Sequence, residues 1–175
     1  SFIKNQAEKE GFSFLPIPPG VGGRFSVFSA AGLFPLLLAG INIEMLLEGA
    51  KKAEETSHEG ILARNPSAIL AFCLHHWIVT KKVSQVALMP YADRLRFFSD
   101  WFAQLWAESL GKRLDLSGNI VSHGTTPLKS LGTTYQHSQL QLYLEGPRDK
   151  LVCFIRIEDM GGGALPSEKL GDDRV

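Results

Sequence analysis

Three short stretches of the sequence carry side chains whose types and spacing could do chemistry. In Val21-Gly22-Gly23-Arg24-Phe25-Ser26, paired glycines let the backbone approach a ligand closely, and Arg24 adds a fixed cation with planar donors suited to an oxyanion or phosphate. The alternative is a tight turn whose arginine pairs with a carboxylate. This is no dinucleotide fingerprint, because the third glycine of G-x-G-x-x-G would fall on Phe25. The second stretch is a helical pattern in which Phe98, Trp101 (or Phe102) and Leu105 form an apolar stripe that continues onto Glu108. A carboxylate on that stripe, near the negative end of the helix dipole, would have its ionised form disfavoured, as a general base working near neutrality requires. Against this stands a simple i,i+4 pair with Lys112. The third is Gln136-His137-Ser138-Gln139, opening a helix after a hydroxyl-rich loop. The dipole there favours neutral His137, able to accept or relay a proton; the alternative is a histidine bonded to its own turn or packed in the core.

The elements that must hold these groups follow from the pattern. A helix over 2–10 stops at Gly11, and an extended run over 12–17 closes on Pro18-Pro19-Gly20. Ser26 is expected to cap an apolar helix over 27–39, and Asn42 a second over 43–55 with Met45, Leu46, Gly49, Ala50 and Ala53 inside. Pro66 opens a buried helix reaching 80. A strand over 83–89, a helix over 94–110 opened by Asp93 and stopped by Gly111, and a short strand over 119–122 follow. Next come a loop over 123–131, a helix over 135–145 and a last strand over 151–157, an apolar run of the kind buried on both faces. Strands alternating with helices predict an α/β fold, a three-layer α/β/α sandwich with a mainly parallel sheet. Ligands in such folds gather beyond the carboxyl ends of the strands.

Composition sets the outer limits. The chain has 175 residues, 45% hydrophobic, with 18 Lys+Arg against 18 Asp+Glu. That supports a real core and gives no electrostatic reason to expect nucleic acid or an anionic membrane as partner. No stretch reaches the roughly 18 apolar residues of a membrane span, and no secretory signal opens the chain. Cys73 and Cys153 lie in apolar runs and read as two buried thiols of a reducing compartment. His75 and His76 are adjacent on a buried helix and read as structural. No His/Cys/Asp/Glu spacing makes a metal site. The opening at Ser1 inside a helical pattern, and the close on Gly161-Gly162-Gly163 and a charged tail, suggest a piece of a longer polypeptide. Residues 1–20 read as the end of a preceding region, 21–160 as one domain and 161–175 as a flexible tail.

The three stretches also resemble a known family. The run from Val21 through Gly22-Gly23-Arg24-Phe25-Ser26 to Gly32 closely resembles a signature of the phosphoglucose isomerase family, bacterial type. Gln104-Leu105-Trp106-Ala107-Glu108-Ser109-Leu110-Gly111-Lys112 resembles the segment bearing its catalytic glutamate, and Gly132-Thr133-Thr134-Tyr135-Gln136-His137-Ser138 the segment bearing its catalytic histidine. The resemblance implies a cytoplasmic glycolytic enzyme that interconverts glucose 6-phosphate and fructose 6-phosphate without metal or organic cofactor. It also implies a homodimer in which each chain carries two sugar-isomerase (SIS) domains. It makes Glu108 the base moving a proton between carbons 1 and 2 through a cis-enediol, Arg24 the stabiliser of the enediolate, and His137 a ring-opening group that reaches the neighbouring subunit. Gly22, Gly23, Arg24 and Gln136 would bind substrate. The family's phosphate-gripping Ser/Thr-rich loop and its ring-opening lysine have no match here, since Lys129 and Lys150 lie in other contexts. The chain thus resembles most of the second SIS domain, and the isolated fragment is expected to be inactive. Competing readings are a noncatalytic SIS module that senses sugar phosphates and an isomerase that also accepts mannose 6-phosphate.

Overall fold

A computed structural model describes residues 2–158; the expected tail at 161–175 lies outside the described residues. The chain divides between Lys82 and Val83 into two compact units.

The first unit is helical. Helix α1 (Phe2–Glu10) ends at Gly11, whose φ of +72° is the left-handed stop that glycine adopts without strain. Residues 12–17, expected as an extended run, belong to no helix or strand among the described residues. The expected single helix from residue 27 is two pieces, a 3-10 segment at Gly23–Phe28 and then α2 (Ala30–Leu38). Ser29, not Ser26, is the cap, its hydroxyl accepting from the Ala31 amide, while the Ser26 hydroxyl turns back to the Gly23 carbonyl. Helix α3 (Ile43–Ser57) starts where Asn42 accepts from the Met45 amide. Its half-buried side is Ile43, Leu46 and Ala50, and Met45 is 70% exposed, so the inner face is narrower than the pattern suggested. Helix α4 (Pro66–Thr80) has proline in its first turn, as expected. Buried Asn65 ties the join together: its carbonyl oxygen accepts from the Ala68 amide, and its amide nitrogen donates to the carbonyls of Ser57 and Glu59.

Helix α4 is not buried. Its apolar residues surround the axis, a pattern that normally demands neighbours on all sides, yet within its unit it packs on α3, leaving Phe72 and Trp77 exposed. Cys73 is exposed with them, against expectation; the apolar run that hid it in the sequence is the same run that lacks a cover here. His75 and His76 are exposed too, with His76 Nδ1 3.4 Å from the Thr80 hydroxyl.

The second unit holds a parallel three-stranded sheet in the order β4-β1-β5, made of β1 (Gln85–Pro90), β4 (Thr126–Lys129) and β5 (Lys150–Ile155). The fold is therefore α/β with a mainly parallel sheet, as the alternation of elements implied. Central β1 is the core: Val86 and Ala87 are fully buried and Met89 nearly so. The doubly covered strand is thus β1 and not β5, which is half-buried and shows Phe154 to solvent. Helix α5 (Phe98–Leu110) lies against β4 and β1. Helix α6 (Gln136–Glu145) brings Leu140, Tyr143 and Leu144 to the sheet face formed by Met89, Val152 and Phe154. A hairpin of β2 (Lys112–Leu114) and β3 (Ile120–His123) follows α5. Strand β4 falls in what read as a loop, because Thr126-Pro127-Leu128-Lys129 is too short and too polar to show alternation. The sheet supplies what the pattern lacks, with the Thr126 amide donating to the Ser84 carbonyl.

Asp149 fastens the start of this sheet. Its backbone carbonyl accepts from the Ser84 and Gln85 amides, and its carboxylate receives Gln85 Nε2 and Lys150 Nζ. The Lys150 hydrogen bond, more than any other contact, holds the Asp149 carboxyl below its ordinary range.

Candidate active site

The Gly-Gly-Arg segment belongs to the first unit. Gly22 is extended (φ −73°, ψ 158°), and neither it nor Gly23 has the positive φ that would demand glycine. A methyl group built on Gly23 would meet nothing within 4 Å, and one on Gly22 would meet only the Arg24 guanidinium at 3.9 Å. The paired glycines are therefore not there to make a bend. They leave a bare stretch of backbone beside a half-buried arginine whose guanidinium lies 4.9 Å from the centre of the Phe25 ring. Gly32 is different, since a methyl there would collide with the Val27 carbonyl. Its missing side chain lets α2 close onto the 3-10 segment and so holds the arginine-bearing turn in place.

Glu108 and its neighbours belong to the second unit. The sheet takes the side of α5 that carries Ser99, Phe102, Ala103 and Trp106, with Trp106 Nε1 donating to the Thr125 hydroxyl at 2.9 Å. Of the expected stripe through Phe98, Trp101 (or Phe102) and Leu105, Phe102 and Leu105 are half-buried while Phe98 and Trp101 are exposed, and the stripe does not continue onto Glu108, which is exposed instead of buried. Two aromatic residues per turn made both stripes look equally apolar, and the sequence offered no means to choose. Gln104, one turn earlier, donates from Nε2 to Glu108 Oε1 at 3.0 Å. Lys112 does reach back, but to the Glu108 backbone carbonyl, as a cation closing a helix end should.

Gln136 and His137 form the first turn of α6. His137 is exposed, its amide donating to the Thr134 carbonyl. Gln136 is half-buried and donates from Nε2 to the Tyr91 hydroxyl at 2.6 Å. Tyr91 directly follows β1 at the carboxyl edge of the sheet, the place to look for ligand-handling groups. Tyr91 and Gln104 are the residues that sequence reasoning missed. The i,i+4 spacing of Gln104 to Glu108 was a usable signal; nothing in the sequence pointed from Tyr91 to a residue 45 positions away.

Beyond the end of β4 lies a cavity of about 330 Å³, walled by Arg96, Asp100, Lys129, Ser130, Thr134 and Tyr135 among others. Its charged groups are paired: Lys129 Nζ lies 2.7 Å from Asp100 Oδ1 across the cavity lining, and Arg96 lies 2.7 Å from Asp93 outside it. The Asp100 hydrogen bond raises the Lys129 ammonium above its ordinary value. Among the described residues, no three His, Cys, Asp or Glu side chains are grouped to hold a metal ion, and no helix is long and apolar enough to cross a membrane.

The site residues thus fall into three local groups: Gly22, Gly23 and Arg24 on one segment of the first unit, Gln104 and Glu108 on α5, and Gln136 and His137 on α6 beside Tyr91 from the end of β1. A family model described as phosphoglucose isomerase matches residues 8–158, a span that includes all three groups. Among curated relatives, the glucose-6-phosphate isomerase of Carboxydothermus hydrogenoformans is 46% identical over 156 residues, covering 89% of this chain and 33% of the relative. That of Methanocaldococcus jannaschii is 38% identical over 154 residues, covering 87% and 36%. The chain spans about a third of the length of these relatives. Among solved structures, a hypothetical protein of Thermus thermophilus matches with a TM-score of 0.79 at 38% identity, over 91% of this chain and 39% of that one. A glucose-6-phosphate isomerase of Chlamydia trachomatis matches with a TM-score of 0.68 at 22% identity, over 87% and 35%, a likeness of fold.

Proposed function

The chain belongs to the phosphoglucose isomerase family, and from that premise we propose that the intact protein interconverts glucose 6-phosphate and fructose 6-phosphate. The observation that carries the reading is the single family match running unbroken through the segments of Arg24, Glu108 and His137.

In this reading the Glu108 carboxylate removes the proton from carbon 2 of the open-chain aldose, leaving a cis-enediol whose developing oxyanion is met by the Arg24 guanidinium. Protonated Glu108 returns the proton to carbon 1, while the hydroxyl proton of the carbon-2 oxygen passes to the carbon-1 oxygen, so that carbon 2 becomes the ketose carbonyl and carbon 1 carries the hydroxyl. Atoms and charge balance with no external oxidant. Support for Glu108 as base comes from its exposure and from Gln104, which orients the carboxylate through one oxygen. Support for substrate approach at Gly22 and Gly23 comes from the open space over Gly23 and from the Arg24 guanidinium as the one neighbour over Gly22. We assign ring opening to His137 and substrate contact to Gln136. The reading includes a homodimer in the cytoplasm, with His137 serving the neighbouring subunit; its exposure on α6 is compatible with that.

The desolvation that Glu108 needs does not come from its own sheet, so it must be supplied by surfaces that meet α5 in the intact, substrate-bound assembly. A coupled assay of the intact protein with fructose 6-phosphate tests the reading. Turnover that Glu108→Gln abolishes is the expected result; no turnover by the unsubstituted protein would leave a sugar-phosphate-binding module instead.

A further inference from the structure

We propose that Tyr91 is a positioning residue for the His137-bearing end of α6, its phenol tethering Gln136 to the carboxyl edge of the parallel sheet. The inference rests on the assignment of ring opening to His137.

Besides Tyr91, the first turn of α6 is held by main-chain hydrogen bonds and, at Gln139, by the Tyr143 hydroxyl that also meets Ser130. Tyr135 occupies the cap position without a side-chain hydrogen bond to the turn, and the Gln136 and His137 amides reach back only to the carbonyls of Thr133 and Thr134. That start carries no side-chain cap bond, so a tether at Gln136 bears directly on the position next to His137. Tyr91, in contrast, is fixed on several sides. Its amide donates to the Ile155 carbonyl at 2.9 Å, continuing the β1–β5 ladder, and its ring lies 6.0 Å from that of Phe154. A further contact is Gly132, where an added methyl would lie 2.8 Å from three ring atoms, so the ring rests against bare backbone. The Gly132 amide is itself bonded to the Pro90 carbonyl. The phenol is thus a strut with one end built into the sheet and the other 2.6 Å from Gln136 Nε2, one residue before His137. A catalytic imidazole gains from such support because small misplacements cost rate.

The test uses the intact protein and two readouts: isomerisation, and the rate at which the α and β anomers of glucose 6-phosphate exchange, followed by NMR. Anomer exchange requires ring opening but no proton transfer at carbon. Tyr91→Phe keeps the ring on Gly132 and removes only the hydroxyl. It is expected to slow anomer exchange by about threefold to tenfold, the range of one lost hydrogen bond, with a correspondingly small fall in the urea unfolding midpoint. Gln136→Met, which also removes the substrate contact assigned to Gln136, should slow anomer exchange at least as much, and the double variant should be no slower than Gln136→Met alone. Losses that multiply in the double variant, or wild-type anomer exchange in Tyr91→Phe, would overturn the tether. His137→Ala separates the two levels. If it slows anomer exchange and Tyr91→Phe does not, the tether alone fails; if His137→Ala has no effect, the ring-opening assignment fails first.

Discussion

Gln104 Nε2 and Glu108 Oε1 are 3.0 Å apart across one turn of α5, so the carboxylate is already oriented before any substrate arrives. Removing the donor while keeping the bulk, as in Gln104→Leu, should lower kcat of the intact protein by about tenfold. That is the lower range for a hydrogen bond to a charged group, chosen because both side chains are solvent-exposed. Steady-state kinetics on fructose 6-phosphate check it, and an unchanged kcat would mean that the carboxylate is oriented by other contacts.

Gly23→Ala separates stability from function. The position is open and its backbone dihedral is ordinary, so the substitution should leave unfolding within about 0.5 kcal/mol of the parent. If a substrate passes over that bare backbone, KM should nevertheless rise by an order of magnitude or more in the intact protein. A KM unchanged within error would show that nothing approaches Gly23.

Gly132→Ala should behave in the opposite way. Its new methyl collides with the Tyr91 ring, and overpacking of this kind costs about 1–3 kcal/mol. Urea denaturation of the purified chain measures it. Adding Tyr91→Leu should return part of the loss, because the colliding ring atoms are gone.

These glycines also show how far the sequence could be read. The G-G-R run, the last turn of α5 and the start of α6 stood out by residue type, and the alternation of elements gave the parallel sheet. What could not be read was the rotation of α5: with Phe98, Trp101, Phe102, Leu105 and Trp106 on one short helix, several stripes are equally apolar, and only the partner surface selects among them. Strand β4 was hidden for a related reason, since its four residues are held by the ladder with β1 and not by their own propensity. Helix α4 was read as buried because its composition demands cover, whereas burial is a property of neighbours.

Acid should loosen the second unit through Asp149. Its hydrogen bonds to Lys150 and Gln85 hold the folded carboxyl below the ordinary value of 3.8. Its contribution is therefore complete above the unfolded pKa and is lost as pH falls through the lower, folded one. Asp115, held down chiefly by Asn119 in the β2–β3 turn, acts with the same sign. Asp149→Asn should lower the urea midpoint at neutral pH and flatten its decline below about pH 4. An equally steep acid decline in the variant would assign the effect to other carboxylates.

The central claim is that the Glu108 carboxylate carries a proton between two sugar carbons. The most direct measurement is deuterium incorporation at carbon 2 of glucose 6-phosphate when the intact protein converts fructose 6-phosphate in D2O, comparing the parent with Glu108→Gln. Loss of both isomerisation and label by about 10²–10⁴-fold, with fructose 6-phosphate still bound, is the expected result. Label entering carbon 2 at the parental rate in Glu108→Gln would contradict it.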